Sequence, residues 1–147
     1  MSESIIKTLT VTNGAYTIGD VVGGLITFEP KDQASRSFFI PSIKLSGVVA
    51  IPYSLRFLNA DIATTVADNG ALVLVAADAL KNLGSIPILA ADYIADPAGT
   101  FNDATVRNSG LLIQTTSNKF YAYLVATAVT SPGTTTIYLT VDIVEFY

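Results

Sequence analysis

Residues 137–143 read Ile137-Tyr138-Leu139-Thr140-Val141-Asp142-Ile143, and every second side chain is aliphatic. Successive side chains of a β-strand point to opposite faces, so Ile137, Leu139, Val141 and Ile143 share one face while Tyr138, Thr140 and Asp142 share the other. The first face is for burial, the second for water. The other end of the chain has the same pattern: between Lys7 and Thr12, Leu9 and Val11 alternate with Thr8, Thr10 and Thr12. Threonine on the wet face agrees with this reading, because β-branched side chains suit a pleated surface. A half-buried strand is therefore predicted at each end.

Seven further runs between them have strand character: Val21–Phe28, Ile43–Ile51, Tyr53–Asn59, Ala71–Ala76, Ile86–Ala90, Gly110–Thr116 and Lys119–Val129. Turn chemistry separates many of them, in Asn13-Gly14, Glu29-Pro30, Asp68-Asn69-Gly70, Asp96-Pro97 and Ser131-Pro132-Gly133. Asp78–Leu83 differs: Asp78 is an N-cap candidate, helix formers follow and Gly84 is a stop, so one helical turn is predicted there. Short strands with regular punctuation in 147 residues give an all-β fold, a jelly-roll-like antiparallel β-sandwich of about eight or nine strands with one short helical turn. The alternative, an immunoglobulin-type sandwich, lacks its Cys and Trp here. No repeat, low-complexity tract or linker divides the chain, so 1–147 is expected to be one β-sandwich domain. A chain of this length buries roughly 68% of its unfolded surface. The least regular stretches, Pro30–Ser37 and Ala91–Asn108, are expected to be exposed loops, where binding is most often placed.

Composition narrows the chemistry. The chain has no His, no Cys and no Trp, and 14% of its residues are charged. Catalysis, redox chemistry and transition-metal binding most often use the missing side chains, so an enzyme is not expected. Half the residues are hydrophobic and the mean hydropathy is +0.51. Even so, no run approaches the roughly 20 apolar residues that cross a bilayer. The longest, Gly47–Leu58, is broken by Pro52, Ser54 and Arg56. No membrane partner is expected. The N-terminus is acidic and has no apolar run of signal length, so cytosolic synthesis is expected. Eight cations against 12 anions give a net charge of −4, and the cations are scattered from Lys7 to Lys119. A nucleic-acid grip would cluster them, so no nucleic acid is expected.

Each possible site has an ordinary reading beside it. A serine nucleophile needs a base, and the only close pair, Lys44 with Ser46, occupies alternate positions of a predicted strand, as an exposed face would. Asp92, Asp96 and Asp103 could serve as glycosidase carboxylates or as calcium ligands. Loop aspartates more often solvate turns, and their spacing matches no calcium motif. Gly23-Gly24 belongs to no phosphate-binding motif, and a bulge or close sheet contact explains it better. No cofactor and no metal is expected. The aromatics say more. Phe38 and Phe39 follow a polar loop, Phe101 lies inside another, and Phe146 and Tyr147 end the chain. They are the interface candidates, because aromatics carry large contact area and often anchor interfaces.

From Tyr53 onward, the run YSLRFLNADIATTVADNGALVLVAADALKNLGSIPI resembles a family encoded beside the major capsid protein of tailed bacteriophages. Several of its members are capsid decoration, or cement, proteins with a jelly-roll fold. The likeness is carried by Phe57-Leu58-Asn59-Ala60, the Ala67-Asp68-Asn69-Gly70 turn, the Asp78–Leu83 turn and the Asn118–Ala128 strand, with GDVVGGLITF near the start. Pro30–Ile40 departs from it. The resemblance implies a virion protein, made in the host bacterial cytoplasm and bound to the capsid surface across neighbouring major capsid protein subunits, where it stabilises the head against packed DNA. It also implies a homodimer or homotrimer. The competing expectation is a carbohydrate-binding module or virion adhesin of β-sandwich fold; sugar sites usually stack a ring on an exposed Trp or Tyr beside polar groups, and here Trp is absent while Tyr121 and Tyr123 alternate within an apolar strand.

Overall fold

The alternation at the two ends of the chain is one ladder. In a computed structural model, which describes residues 2–31, 37–47, 49–98, 101–115 and 117–146, β1 (Ser2–Thr10) and β9 (Thr136–Phe146) pair antiparallel. Their register runs from Ser2 opposite Val144 to Thr10 opposite Thr136. Only the backbone of Asn108 and Phe146 is described. Between these strands lie β2 (Ile26–Phe28), β3 (Ser37–Gly47), β4 (Tyr53–Leu58), β5 (Asn82–Ile88), β6 (Tyr93–Ala95), β7 (Asn102–Gln114) and β8 (Phe120–Ala126).

Two sheets result, ordered β1-β9-β3-β7-β6 and β2-β8-β4-β5, with every pairing antiparallel. The pairs are nested along the chain: β1 with β9, β2 with β8, β3 with β7, and β4 with β5. A long hairpin folded over on itself gives this nesting, which is that of a jelly roll, with β6 as an added edge strand. The alternating side chains of both sheets meet between them. Ile137, Leu139, Val141 and Ile143 come from β9, Phe120, Ala122 and Leu124 from β8, and Tyr53, Leu55 and Phe57 from β4, all buried. Phe28 stacks on Phe120 with ring centroids 4.7 Å apart, and Phe38 and Phe57 flank the pair. Each fully buried ring or aliphatic side chain here contributes about 1.5–3 kcal/mol.

The structure revises four local expectations. Strand β3 begins at Ser37 rather than Ile43 and carries Pro41 through its interior. The buried set shifts from Phe38 and Ile40 to Ile43 and Leu45, because an extra residue against β9 forms a bulge at Pro41, where no ladder N–H is required. The predicted loop Ala91–Asn108 holds β6 and the first half of β7, since Ala104 and Val106 alternate inward. The predicted helical turn Asp78–Leu83 is a 3-10 turn at Ala76–Asp78, and Gly84 lies inside β5. Ala71–Ala76 makes one isolated bridge, Ala71 to Asp20. Of the other predicted loop, Pro30–Ser37, residues 32–36 lie outside the described residues. Among the described residues no helix is long and apolar enough to cross a membrane.

Candidate functional site

Strand β8 turns Phe120, Ala122, Leu124 and Ala126 to the core, so Tyr121, Tyr123 and Val125 face away from it. In a bare sandwich that second row would be wet. Here Tyr123 is fully buried, because two long connections, 11–25 and 59–81, lie over the outer face of the sheet. They bring Val21, Ile62, Val66 and Leu72 onto Tyr123 and Leu58 as a second, smaller apolar cluster. Backbone bonds join the connections: Val21 N–H to Gly70 O at 2.7 Å, Asn69 N–H to Val21 O at 2.7 Å, and Leu72 N–H to Gly19 O at 2.9 Å.

Three carboxylates fix this layer. Asp61 accepts the Tyr123 hydroxyl at 2.8 Å, the Ile62 N–H at 2.8 Å and the Thr65 hydroxyl. The Tyr123 oxygen in turn accepts the Val66 N–H at 3.2 Å, and burial pushes this phenol up to about 12. Asp68 accepts from the Thr12 N–H and hydroxyl, the Tyr16 hydroxyl and the Gly23 N–H. Burial works against its ionisation, but these donors outweigh burial and hold the carboxyl below its ordinary value. Burial, then the bond to Asp68, raises Tyr16 to about 12. Asp78 is buried and accepts the Val75 N–H at 3.0 Å, the Ala63 N–H at 2.9 Å and the Lys81 ammonium at 3.3 Å. Its carboxyl is lowered, chiefly by the Val75 N–H and against its burial. Each of these carboxylates is surrounded by donors, an arrangement that braces loops.

Beside exposed Thr12, Thr17, Thr64, Thr65 and Asn69, the frame presents a set of aliphatic side chains outward. Ile18 is 69% exposed, Val73 63% and Leu80 91%, with Leu74 and Val75 also exposed between them. An open cleft of about 390 Å³ lies between Ile18 and Leu74, walled also by Leu72 and Val125, with Ser54, Arg56 and Thr127 as its polar side chains. Contiguous exposed apolar surface marks contact sites, and here Ile18 and Leu74 line one cleft together; Ile6, Ile94 and Val129 are exposed elsewhere. A half-buried strand cannot place Val73, Leu74 and Val75 all inward, and that run of three was the sequence signal for this surface.

The residues singled out from sequence fall elsewhere. Phe38 is completely buried, 5.5 Å from Phe120, so it is a core residue and cannot offer its ring to a partner. Phe39 faces the opposite way and is half-buried, opposite Leu112 and Val144. Phe101 is 49% exposed at the tip of the β6–β7 hairpin. Phe39 lies eight residues along β3 from Gly47, the neighbour of that hairpin, about 26 Å away, so the two do not share a patch. The Phe146 side chain and Tyr147 lie outside what is described. Asp92 accepts the Leu89 N–H at 2.8 Å, Asp96 the Phe101 N–H at 3.0 Å, and Asp103 faces Lys44 at 4.0 Å. No group of three or more His, Cys, Asp or Glu could hold a metal ion among the described residues. Gly23 does make a close contact, with φ +86° and an added Cβ placed 3.0 Å from Leu9 Cβ. Tyr123, as a stacking platform for a sugar, is closed off.

No family model and no curated protein sequence matches the chain. Among solved structures it is similar to a chain of the infectious bursal disease virus Gx strain, at 13% identity over 96% of this chain and 36% of that one, with a TM-score of 0.23. It is also similar to a chain of the infectious bursal disease virus VP2 subviral particle, at 14% identity over 98% of this chain and 41% of that one, with a TM-score of 0.19. The chain thus spans less than half the length of either of these chains. Likeness at this level carries no functional argument; the jelly roll rests on the strand order.

Proposed function

We propose that this is a structural virion protein, a decoration or cement protein that binds the outer surface of an assembled phage head across neighbouring major capsid protein subunits. The observation that carries the reading is the exposed apolar run Val73–Val75, with Ile18 and Leu80, on a layer braced by Asp61, Asp68 and Asp78. A rigid apolar surface loses little conformational freedom on docking, so more of its burial appears as affinity. The polar groups beneath it serve the frame, which suits a protein that acts by binding alone. Binding only the assembled shell stabilises that shell by mass action, and repetition over a lattice multiplies a modest gain at each site.

Co-sedimentation with assembled capsids stripped of the protein tests this, with unassembled capsid subunits as the control. Saturable binding at a fixed ratio to assembled shells alone is expected. Binding to neither, together with hits on a glycan array, would replace this reading by that of a carbohydrate-binding adhesin.

A further inference from the structure

We propose that β1 is a dimerisation edge: the β1 strands of two copies pair antiparallel about a two-fold axis through Ile5, with Glu3 of each copy opposite Lys7 of the other. The proposal is independent of what the virion surface binds.

The sheet edges are β1, β6, β2 and β5. Strands β2 and β6 are three residues long, and β5 carries Pro87 and a register shift at Phe57/Leu58. Short strands, prolines and bulges are the usual ways to blunt an edge. Strand β1 has none of them: its nine residues keep an unbroken register with β9 and include no Pro or Gly.

The hydrogen-bond parity of this edge can be assigned. The Val11 N–H donates to Thr135 O at 3.0 Å, continuing the register that sets Thr10 opposite Thr136. Odd-numbered residues of β1 therefore bond to β9, and the N–H and C=O groups of Ser2, Ser4, Ile6 and Thr8 point to the free edge. A second β1 can meet them only in registers that set even residues opposite even. With the axis through Ile5, Ser4 exchanges bonds with Ile6 and Ser2 with Thr8. Glu3 then faces Lys7, and Ile5 faces Ile5, in the closer non-hydrogen-bonded pairs. Moving the axis to Ile6 sets Lys7 against Ile5 and Glu3 against Leu9, each a charge against an aliphatic side chain. Charge complementarity selects the first register.

The two ionic groups are prepared for it. Among the described residues the Lys31 N–H holds one Glu3 carboxylate oxygen at 2.9 Å and no bond to the other is found, and Lys7 has no ion pair. A lone inward charge would guard this edge. Opposite charges four residues apart on one face instead make the edge complementary to itself, and a two-fold pairing closes without propagating into fibres.

Because the chain has no cysteine, Ile5→Cys and Ile6→Cys report the register directly under mild oxidation. A disulfide-linked dimer is expected from Ile5→Cys and not from Ile6→Cys. In sedimentation equilibrium the wild-type chain is expected to dimerise, Lys7→Glu to raise the dissociation constant at least about tenfold, and Glu3→Lys with Lys7→Glu to restore it. A wild-type monomer, cross-linking at Ile6 instead of Ile5, or a swap without rescue would each overturn the proposal. If Ile5→Cys fails to fold, the charge series still decides. A dimer with no affinity for shells would support this inference while sinking the virion reading.

Discussion

The Tyr16 hydroxyl donates to Asp68 Oδ1 at 2.7 Å, joining positions 52 residues apart in the chain. The same carboxylate takes the Gly23 N–H at 2.7 Å and the Thr12 hydroxyl at 2.7 Å. One side chain thus pins the connection leaving β1 to the loop that covers β8, and Tyr16 itself is fully buried.

Asp68→Ala would leave those donors without their acceptor, and a loss of about 2–3 kcal/mol in urea unfolding is expected. The pH dependence has a definite sign. The folded carboxyl lies below its ordinary 3.8, so the stability it contributes is complete above that value and fades as pH falls through the folded pKa. Asp68→Asn should therefore flatten the acid limb of the stability profile relative to wild type. An unchanged limb would show that the carboxylate charge is not what the donors stabilise.

Phe38 and Phe101 should separate cleanly. Phe38 has no exposed surface and packs against Phe120, so Phe38→Ala is expected to cost about 3–5 kcal/mol and to lower Tm by roughly 10 °C. Phe101 is half exposed at a hairpin tip, and Phe101→Ala should stay within about 1 kcal/mol. Thermal melts of the two variants decide it.

Gly23 joins the backbone geometry to this network. Its φ of +86° and the 3.0 Å approach of an added Cβ to Leu9 mean that Gly23→Ala strains both the turn and the first core residue of β1. A loss of about 2 kcal/mol is expected. Gly19, with φ +94° and open space around it, should lose less on the same change, so a pair of chemical denaturation curves separates backbone strain from contact.

The legible part of this fold was whatever obeyed a simple period. β9 alternates from Ile137 to Ile143 and was readable because one face meets the core, whereas β1 was read only from Lys7 although it begins at Ser2, and β4 and β8 depart from alternation at Leu58 and Tyr123, which the second cluster buries. β3 was half hidden, since Pro41 reads as a strand breaker until its bulge is known. β6 and the start of β7 were hidden because their inward residues, Ala104 and Val106, sit among polar neighbours. The turns at Ala76–Asp78 and Ala90–Asp92 share the sequence Ala-Ala-Asp, and each aspartate accepts the N–H three residues back. The tripeptide was visible; its role depended on β5 running between the two turns. The candidate surface left one local trace, the run Val73-Leu74-Val75, which reads as strand; its exposure was illegible for a different reason. Exposure of Val73–Val75 follows from the covering layer being anchored by distant aspartates, and no local pattern reports a contact between Thr12 and Asp68.

That layer also makes the surface testable without disturbing what lies under it. Ile18, Leu74 and Leu80 are exposed, and among the described residues none makes a side-chain hydrogen bond or ion pair, so replacing each by Asp should change unfolding free energy by less than about 1 kcal/mol. If the apolar run meets a capsid surface, the same changes bury an unpaired charge in the contact, which weakens binding by at least about tenfold at each site. Co-sedimentation with stripped shells reads the loss, and Thr105→Asp, exposed on the outer face of the other sheet and away from the β1 edge, serves as the charge control. Equal losses for Thr105→Asp and Leu74→Asp would mean that the sheet β1-β9-β3-β7-β6, or net charge alone, governs attachment. Loss confined to Ile18, Leu74 and Leu80 would place the capsid contact on the braced layer over β8.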